Sequence, residues 1–207
     1  MRATISIIGV CMLVYLLQIT IEPFTGWFIL DTSAVFFERF YTLVTSMFLH
    51  SLQTPSHIIF NMLFFFFMGS VLEQILGIRR FVLLYFLAGI IAAIGYSLIP
   101  PPSLALGASG AVMGVAGALI RLRPKMKVLI WGVIPMPLWM FGIFLILFDL
   151  FAAPANVAIT AHFIGLGFGF LFASFIKEKS VRARRVIGNK FELDESDLQD
   201  YLRNGRI

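Results

Sequence analysis

Six apolar runs constrain the fold of this chain more than any other feature. A helix that crosses the hydrocarbon core of a bilayer needs about 20 mostly apolar residues. Hydrophobic residues make up 59% of the chain and charged residues 13%, which excludes an ordinary soluble domain, where about 25% are charged. We therefore predict an all-α integral membrane protein that folds as a six-helix bundle. The predicted spans are 5–21, 56–76, 81–99, 109–120, 137–151 and 157–176.

The two ends of the chain raise separate questions. Arg2 and the apolar run after it fit a secretory signal peptide, but Thr20-Ile21-Glu22-Pro23 is a poor cleavage site and more spans follow. We therefore expect an uncleaved first helix. After residue 176 the composition becomes charged, basic over 177–185 and acidic over 192–200. These features predict one membrane domain, 1–176, and a charged cytoplasmic tail, 177–207.

The positions of the basic residues predict the orientation in the membrane. Of the 16 Lys and Arg residues, all except Arg39 lie before the first span, between spans two and three, between four and five, or after the sixth. Because cytoplasmic loops are enriched in Lys and Arg, both termini are predicted to be cytoplasmic. The net charge of +5 is then explained by topology, with no nucleic acid as partner. We expect a multi-pass protein of the cell membrane.

Four polar side chains lie inside predicted spans, where a polar group is costly and usually functional. They are His57, Asn61, Ser109 and His162. The first two are four residues apart and share one helical face. At 1.5 Å per residue, Ser109 lies about 18 Å and His162 about 22 Å above the basic residues that end their spans. The four are predicted to meet in one shallow pocket that opens outward.

Small residues at regular spacing allow spans four and six to approach closely. They are Gly110, Gly114 and Ala118 in span four, and Gly165, Gly169 and Ala173 in span six. Glycine or alanine at every fourth position lets membrane helices pack backbone to backbone. Such a stripe is common and can serve packing alone. Here each stripe adjoins a chemically useful side chain, Ser109 in one helix and His162 in the other.

The combination of Ser109 and His162 fits acyl-transfer chemistry. A serine hydroxyl is a weak nucleophile until a base removes its proton, and imidazole is a suitable base near neutral pH. The free N–H groups at the start of span four, with His57 and Asn61, can stabilise an oxyanion. No acidic residue is expected near His162. Asp149, late in span five, is the one candidate, and a capping, loop or water contact is its more ordinary role.

Three motifs together resemble the rhomboid family of intramembrane serine proteases. Gly107-Ala108-Ser109-Gly110 is similar to the family's GxSG motif. Residues 57–61, HIIFN, are similar to its HxxxN motif at the start of the second helix. Residues 161–169, AHFIGLGFG, are similar to the segment that carries its histidine. The resemblance covers roughly residues 5–176 and implies the six-helix rhomboid-type bundle.

The resemblance also implies an activity. It implies a Ser–His dyad rather than a triad, with Ser109 as nucleophile and His162 as general base. His57, Asn61 and the Ser109 N–H would form the oxyanion hole, with no metal and no cofactor. The implied substrates are transmembrane proteins in the lipid bilayer, cut in or near a transmembrane helix. Met113 departs from the family pattern, because many relatives carry an aromatic residue there that packs on the histidine.

Three other interpretations remain open. A catalytically inactive rhomboid-like protein would bind membrane proteins without cutting them, but such proteins usually lack the serine or the histidine. A metalloprotease would need a zinc site, and the chain has three histidines but no HExxH motif. A transporter or channel would use intramembrane polar groups for transport. No charged relay crosses the predicted bundle.

Overall fold

The structure, a computed structural model, describes residues 1–99, 101–130, 133–151 and 158–176, and these are mostly helical. Each predicted span corresponds to one helix, with boundaries that differ by no more than three residues. A 3-10 turn at Ser46–Phe48 precedes α4. The α-helices are α1 (Arg2–Thr20), α2 (Phe24–Phe28), α3 (Thr42–Thr45), α4 (Ser56–Leu76), α5 (Ile78–Ser97), α6 (Ser109–Leu122), α7 (Leu138–Phe151) and α8 (Ile159–Ser174).

The lengths of the helices divide the six into two groups. By length and composition, α1, α4 and α5 can cross a membrane, with 19, 21 and 20 residues. Apolar helices α6, α7 and α8 are shorter, with 14, 14 and 16 residues. At 1.5 Å per residue α6 is about 21 Å long, which is less than the roughly 30 Å hydrocarbon core. The described residues therefore contain three candidate spans, and the count of six spans stays a prediction.

Two short antiparallel pairings make the all-α prediction incomplete. Strand β1 (Leu30–Asp31) pairs with β2 (Leu104–Ala105), and β3 (Lys127–Ile130) pairs with β4 (Ile134–Pro137). These strands have two to four residues, which is too short for an alternating hydrophobic pattern to reveal them. The first pair joins the long loop after α1 to the segment that leads into α6.

Helix α6 lies at the centre of the helical packing. Every residue from Gly110 to Leu119 is buried. The helix packs against α4, α5 and α8. A helix that is apolar on all sides is typically buried, and the many small side chains of α6 allow these helices to approach. The described helices belong to one unit, Met1–Phe175. The predicted tail lies outside the described residues.

Helices α6 and α8 are in backbone contact at the predicted glycines. A Cβ atom on Gly165 would overlap the carbonyl oxygen of Gly110, and one on Gly169 would overlap that of Gly114. Gly117 shows the same close approach, since a Cβ there would overlap the carbonyl oxygen of Leu166. The small-residue stripes therefore face each other in the structure. They place the first turns of α6 and α8 side by side.

Glu73 ties the end of α4 to the start of α1. Its carboxylate accepts hydrogen bonds from the Ala3 N–H at 3.1 Å, the Thr4 N–H at 2.9 Å and the Thr4 hydroxyl at 2.7 Å. The first N–H groups of a helix have no partner inside that helix. A buried carboxylate is costly unless it is hydrogen-bonded. The contact therefore provides hydrogen-bond partners both for the carboxylate on α4 and for the first N–H groups of α1.

Replacing Glu73 by glutamine is expected to lower the free energy of unfolding by about 1–3 kcal/mol, because an amide presents one acceptor and a repelling N–H to these donors. Cys11 is the single cysteine and is fully buried. A thiol-reactive fluorogenic dye therefore reports unfolding in detergent. Glu38→Gln, in an exposed loop, is the control. Equal melting temperatures for the two variants would contradict the capping role.

Candidate active site

Ser109 is the first residue of α6 and follows a tight turn. The cap residue Ala108 makes no side-chain hydrogen bond, so the first amides of α6 have no capping partner from it. Gly107 has φ +126°, a conformation that favours glycine. A Cβ there would also lie 2.9 Å from Cε1 of His57. Glycine is therefore needed at this position for its backbone and for the space it leaves.

The His57 ring lies beside this turn. A Cβ atom on Gly107 would be 3.2 Å from His57 Nε2 and 3.8 Å from Ser109 Oγ. His57 Nδ1 accepts a hydrogen bond of 3.4 Å from the Ser51 N–H. In a neutral imidazole one nitrogen accepts and the other donates. The Ser51 contact therefore assigns the proton to Nε2, on the side of the ring that faces the turn.

Asn61 lies one helical turn after His57. One N–H of its Nδ2 donates to the His57 carbonyl oxygen at 2.9 Å, within α4. An amide nitrogen has two N–H groups. The second N–H is the one that can act at the site. One of the two Asn61 N–H groups is therefore occupied by a hydrogen bond within α4, which the sequence did not indicate.

His162 lies in the first turn of α8, where its ring meets a carboxylate. His162 Nδ1 is 2.8 Å from Oδ2 of Asp149 on α7. The two side chains are 13% and 8% exposed. The expectation that no acidic residue lies near His162 is therefore wrong. The sequence did contain an indication of this contact. Asp149 lies in an apolar helix, where a carboxylate without a partner is too costly.

A cleft connects the starts of α6 and α8, and of the four predicted polar residues Ser109 is the one in its lining. A Cβ on Gly110 would lie 3.7 Å from the carbonyl oxygen of Ala161, and these two residues adjoin Ser109 and His162. The four predicted polar residues are each partly exposed. Within the described ranges, no three His, Cys, Asp or Glu side chains group as a metal site would require. The cleft is lined by residues that include Ser46, Gly107, Ser109, Gly110, Ala158 and Ala161.

A buried contact that was not predicted from the sequence supports His57. Gln18 of α1 accepts from the His50 N–H at 2.9 Å and donates to the His50 carbonyl at 3.0 Å. This pair of bonds holds the loop whose next residue, Ser51, donates to His57. A buried glutamine in an apolar helix was the available signal. Helix α1 therefore supports the site through the loop before α4.

The His50 ring is fully buried beside His57. Their ring centroids are 5.3 Å apart. Nδ1 of His50 lies 3.3 Å from the Phe48 carbonyl oxygen, which assigns its proton to Nδ1. Burial, with a smaller contribution from the neighbouring His57, lowers the pKa of His50 to about 4. His50 is therefore neutral at pH 7.

Replacing Gln18 by methionine is expected to loosen this loop and to slow reactions at Ser109 by about tenfold, because both backbone bonds to His50 are lost. Each lost partner of a buried polar group costs about 1–3 kcal/mol. Melting by the Cys11 assay and labelling by a serine-reactive phosphonate measure the two effects. Gln53→Met, at an exposed position of the same loop, is the matched control. Wild-type behaviour of Gln18→Met in both assays would show that α1 does not support the site.

Comparison with known proteins identifies the family. A model of the rhomboid domain matches residues 38–179, more than half of the chain. The Bacillus subtilis (strain 168) protein named "Putative rhomboid protease YdcA" is 31% identical over 148 residues, which cover 70% of this chain and 71% of that protein. The Toxoplasma gondii protein named "Rhomboid-like protease 3" is 32% identical over 81 residues, or 39% of this chain and 30% of that protein. The predicted relationship to the rhomboid family is thereby confirmed, and this chain belongs to that family.

Proposed function

We propose that this rhomboid-family protein is an intramembrane serine endopeptidase. Ser109 is the nucleophile, His162 is the general base, and His57, Asn61 and the Ser109 N–H form the oxyanion hole. The observation that carries the proposal is the close approach of the starts of α6 and α8: Ser109, Gly110 and Ala161 line one cleft, and the His57 ring lies beside the turn that leads into α6. The name of the Bacillus subtilis relative supports the same activity.

The reaction runs through an acyl-enzyme. Ser109 Oγ attacks the carbonyl carbon of the scissile peptide bond while His162 Nε2 takes its proton. The Ser109 N–H and the Nε2–H of His57 stabilise the oxyanion. Collapse breaks the C–N bond, and the leaving amine takes the proton from His162. Water then attacks the ester, again with His162 as base, and releases the acid and Ser109.

The substrates of this proposal are transmembrane proteins. Three described helices are long and apolar enough to cross a bilayer, and α6, α7 and α8 complete the proposed set of six spans. With basic residues on the inner side, both termini are cytoplasmic and the cleft opens outward. Because α6 is shorter than the hydrocarbon core, Ser109 lies below the outer surface. A peptide bond in or near a transmembrane helix can reach a site at that depth.

A serine-reactive fluorophosphonate tests the proposal on the purified protein. We expect label on the wild type and none on Ser109→Ala or His162→Ala, with cleavage of a model transmembrane substrate in liposomes lost in parallel. Ser97→Ala is the matched control, because that hydroxyl donates to the Ala93 carbonyl within its own helix. A folded wild type that neither takes label nor cleaves would favour the inactive, membrane-protein-binding alternative.

A further inference from the structure

Two carboxylates are buried in the described part of the chain, and they have different partners. Glu73 accepts from the first turn of α1. Asp149 contacts a titratable side chain, Nδ1 of His162, at 2.8 Å. A buried carboxylate is costly unless it is paired or hydrogen-bonded. The partner of Asp149 is the proposed catalytic base.

We propose that Asp149 is a positioning residue that converts the Ser–His pair into an Asp–His–Ser triad. The inference rests on the proposed function. When Nδ1 of a neutral imidazole donates its proton to a carboxylate, the lone pair is on Nε2. Nε2 is the atom that must accept the proton of Ser109. Asp149 therefore holds His162 in the tautomer that the reaction needs.

Asp149 also stabilises the positive charge that develops on His162 during the reaction. Removal of the Ser109 proton turns His162 into an imidazolium, and charges interact more strongly in a site with little water than in bulk solvent. The Asp149 carboxylate, in a side chain that is 8% exposed, is already in place at Nδ1 of His162 and needs no rearrangement during the step. The proton stays on the histidine and then passes to the leaving amine. The carboxylate does not take the proton in either step.

A purely structural role for Asp149 makes a different prediction. On the last turns of α7, Leu147, Phe148 and Leu150 are 48–52% exposed, whereas Asp149 is buried. The carboxylate can therefore anchor α7 to α8 without affecting His162 chemically. The two roles separate in Asp149→Asn, which keeps the size of the side chain and can still hydrogen-bond to the ring. Its NH₂ group, however, can donate to Nδ1 and favour the wrong tautomer.

The test combines labelling rates with a spectroscopic measurement. The rate of fluorophosphonate labelling at Ser109 is compared in wild type, Asp149→Asn and Glu38→Gln, the last removing an exposed carboxylate. ¹⁵N NMR of histidine-labelled protein reports the tautomer of each of the three histidines, and His162→Ala assigns the relevant signal. For Asp149→Asn we expect a loss of labelling rate of at least about tenfold, with the melting temperature unchanged. We also expect the His162 proton to move from Nδ1 to Nε2.

Each outcome either supports or overturns the positioning role of Asp149. A labelling rate for Asp149→Asn within about twofold of wild type would overturn it. So would a slow variant whose His162 tautomer is unchanged, because the loss would then come from packing. Failure of the wild type itself to take label would contradict the proposed protease instead. In that case the NMR measurement still decides whether Asp149 sets the tautomer of His162.

Discussion

Replacing Gly169 by leucine is expected to abolish labelling and cleavage and to lower the free energy of unfolding by about 3 kcal/mol or more, at the upper end of over-packing costs. A Cβ at this position would overlap the carbonyl oxygen of Gly114 on α6. That atom belongs to the backbone of a helix buried from Gly110 to Leu119, so it has no room to move aside. The helices must separate instead, and Ser109 then loses its position relative to α8.

Gly167 provides the matched control for this substitution. It lies two residues earlier on the same helix, is exposed, and a Cβ there would meet nothing within 4 Å. Gly167→Leu therefore makes the same chemical change without a clash. The Cys11 melting assay and phosphonate labelling measure both variants. If Gly169→Leu kept full activity, the glycine contacts would not set the geometry of the site.

Replacing His57 by phenylalanine is expected to lower kcat by about 10²- to 10³-fold, the cost of losing one oxyanion-hole donor. Phenylalanine keeps a ring beside the Gly107 turn but has no N–H. Because the oxyanion exists only along the reaction path, KM should change little. Steady-state cleavage of a transmembrane substrate in liposomes measures both constants.

His57→Gln is the informative companion variant, since its amide can still donate from a similar position. We expect it to recover part of the lost kcat. Asn61→Leu should cost less than His57→Phe, because one N–H of Asn61 already donates to the His57 carbonyl. A rise in KM with unchanged kcat for His57→Phe would assign the ring to substrate binding rather than to the oxyanion.

Features that depend on neighbouring residues in the chain were predictable. The helix boundaries followed from apolar runs that end at breaks such as Gly77, which has φ +76°. The close approach of α6 and α8 followed from glycine spacing, since each helix face repeats every three to four residues. Each of these rests on local geometry that a few adjacent residues determine.

Contacts between distant residues were not predictable in the same way. Glu73 meets the start of α1, Gln18 meets the loop at His50, and Asp149 meets His162. Each pairing depends on how two helices are rotated and tilted against each other. A hydrophobic pattern does not determine the rotation or the tilt. The sequence therefore shows only that a buried polar group needs some partner.

Residue order alone was enough to indicate a helical membrane protein of the rhomboid family, and it placed Ser109, His162, His57 and Asn61 in matching motifs. Composition, periodicity and motif spacing carry that information because they are properties of a chain segment. The contact between the Asp149 carboxylate and His162 was decided by the tertiary structure. Asp149 and His162 are on different helices, and the packing of α7 against α8 brings Oδ2 within 2.8 Å of Nδ1.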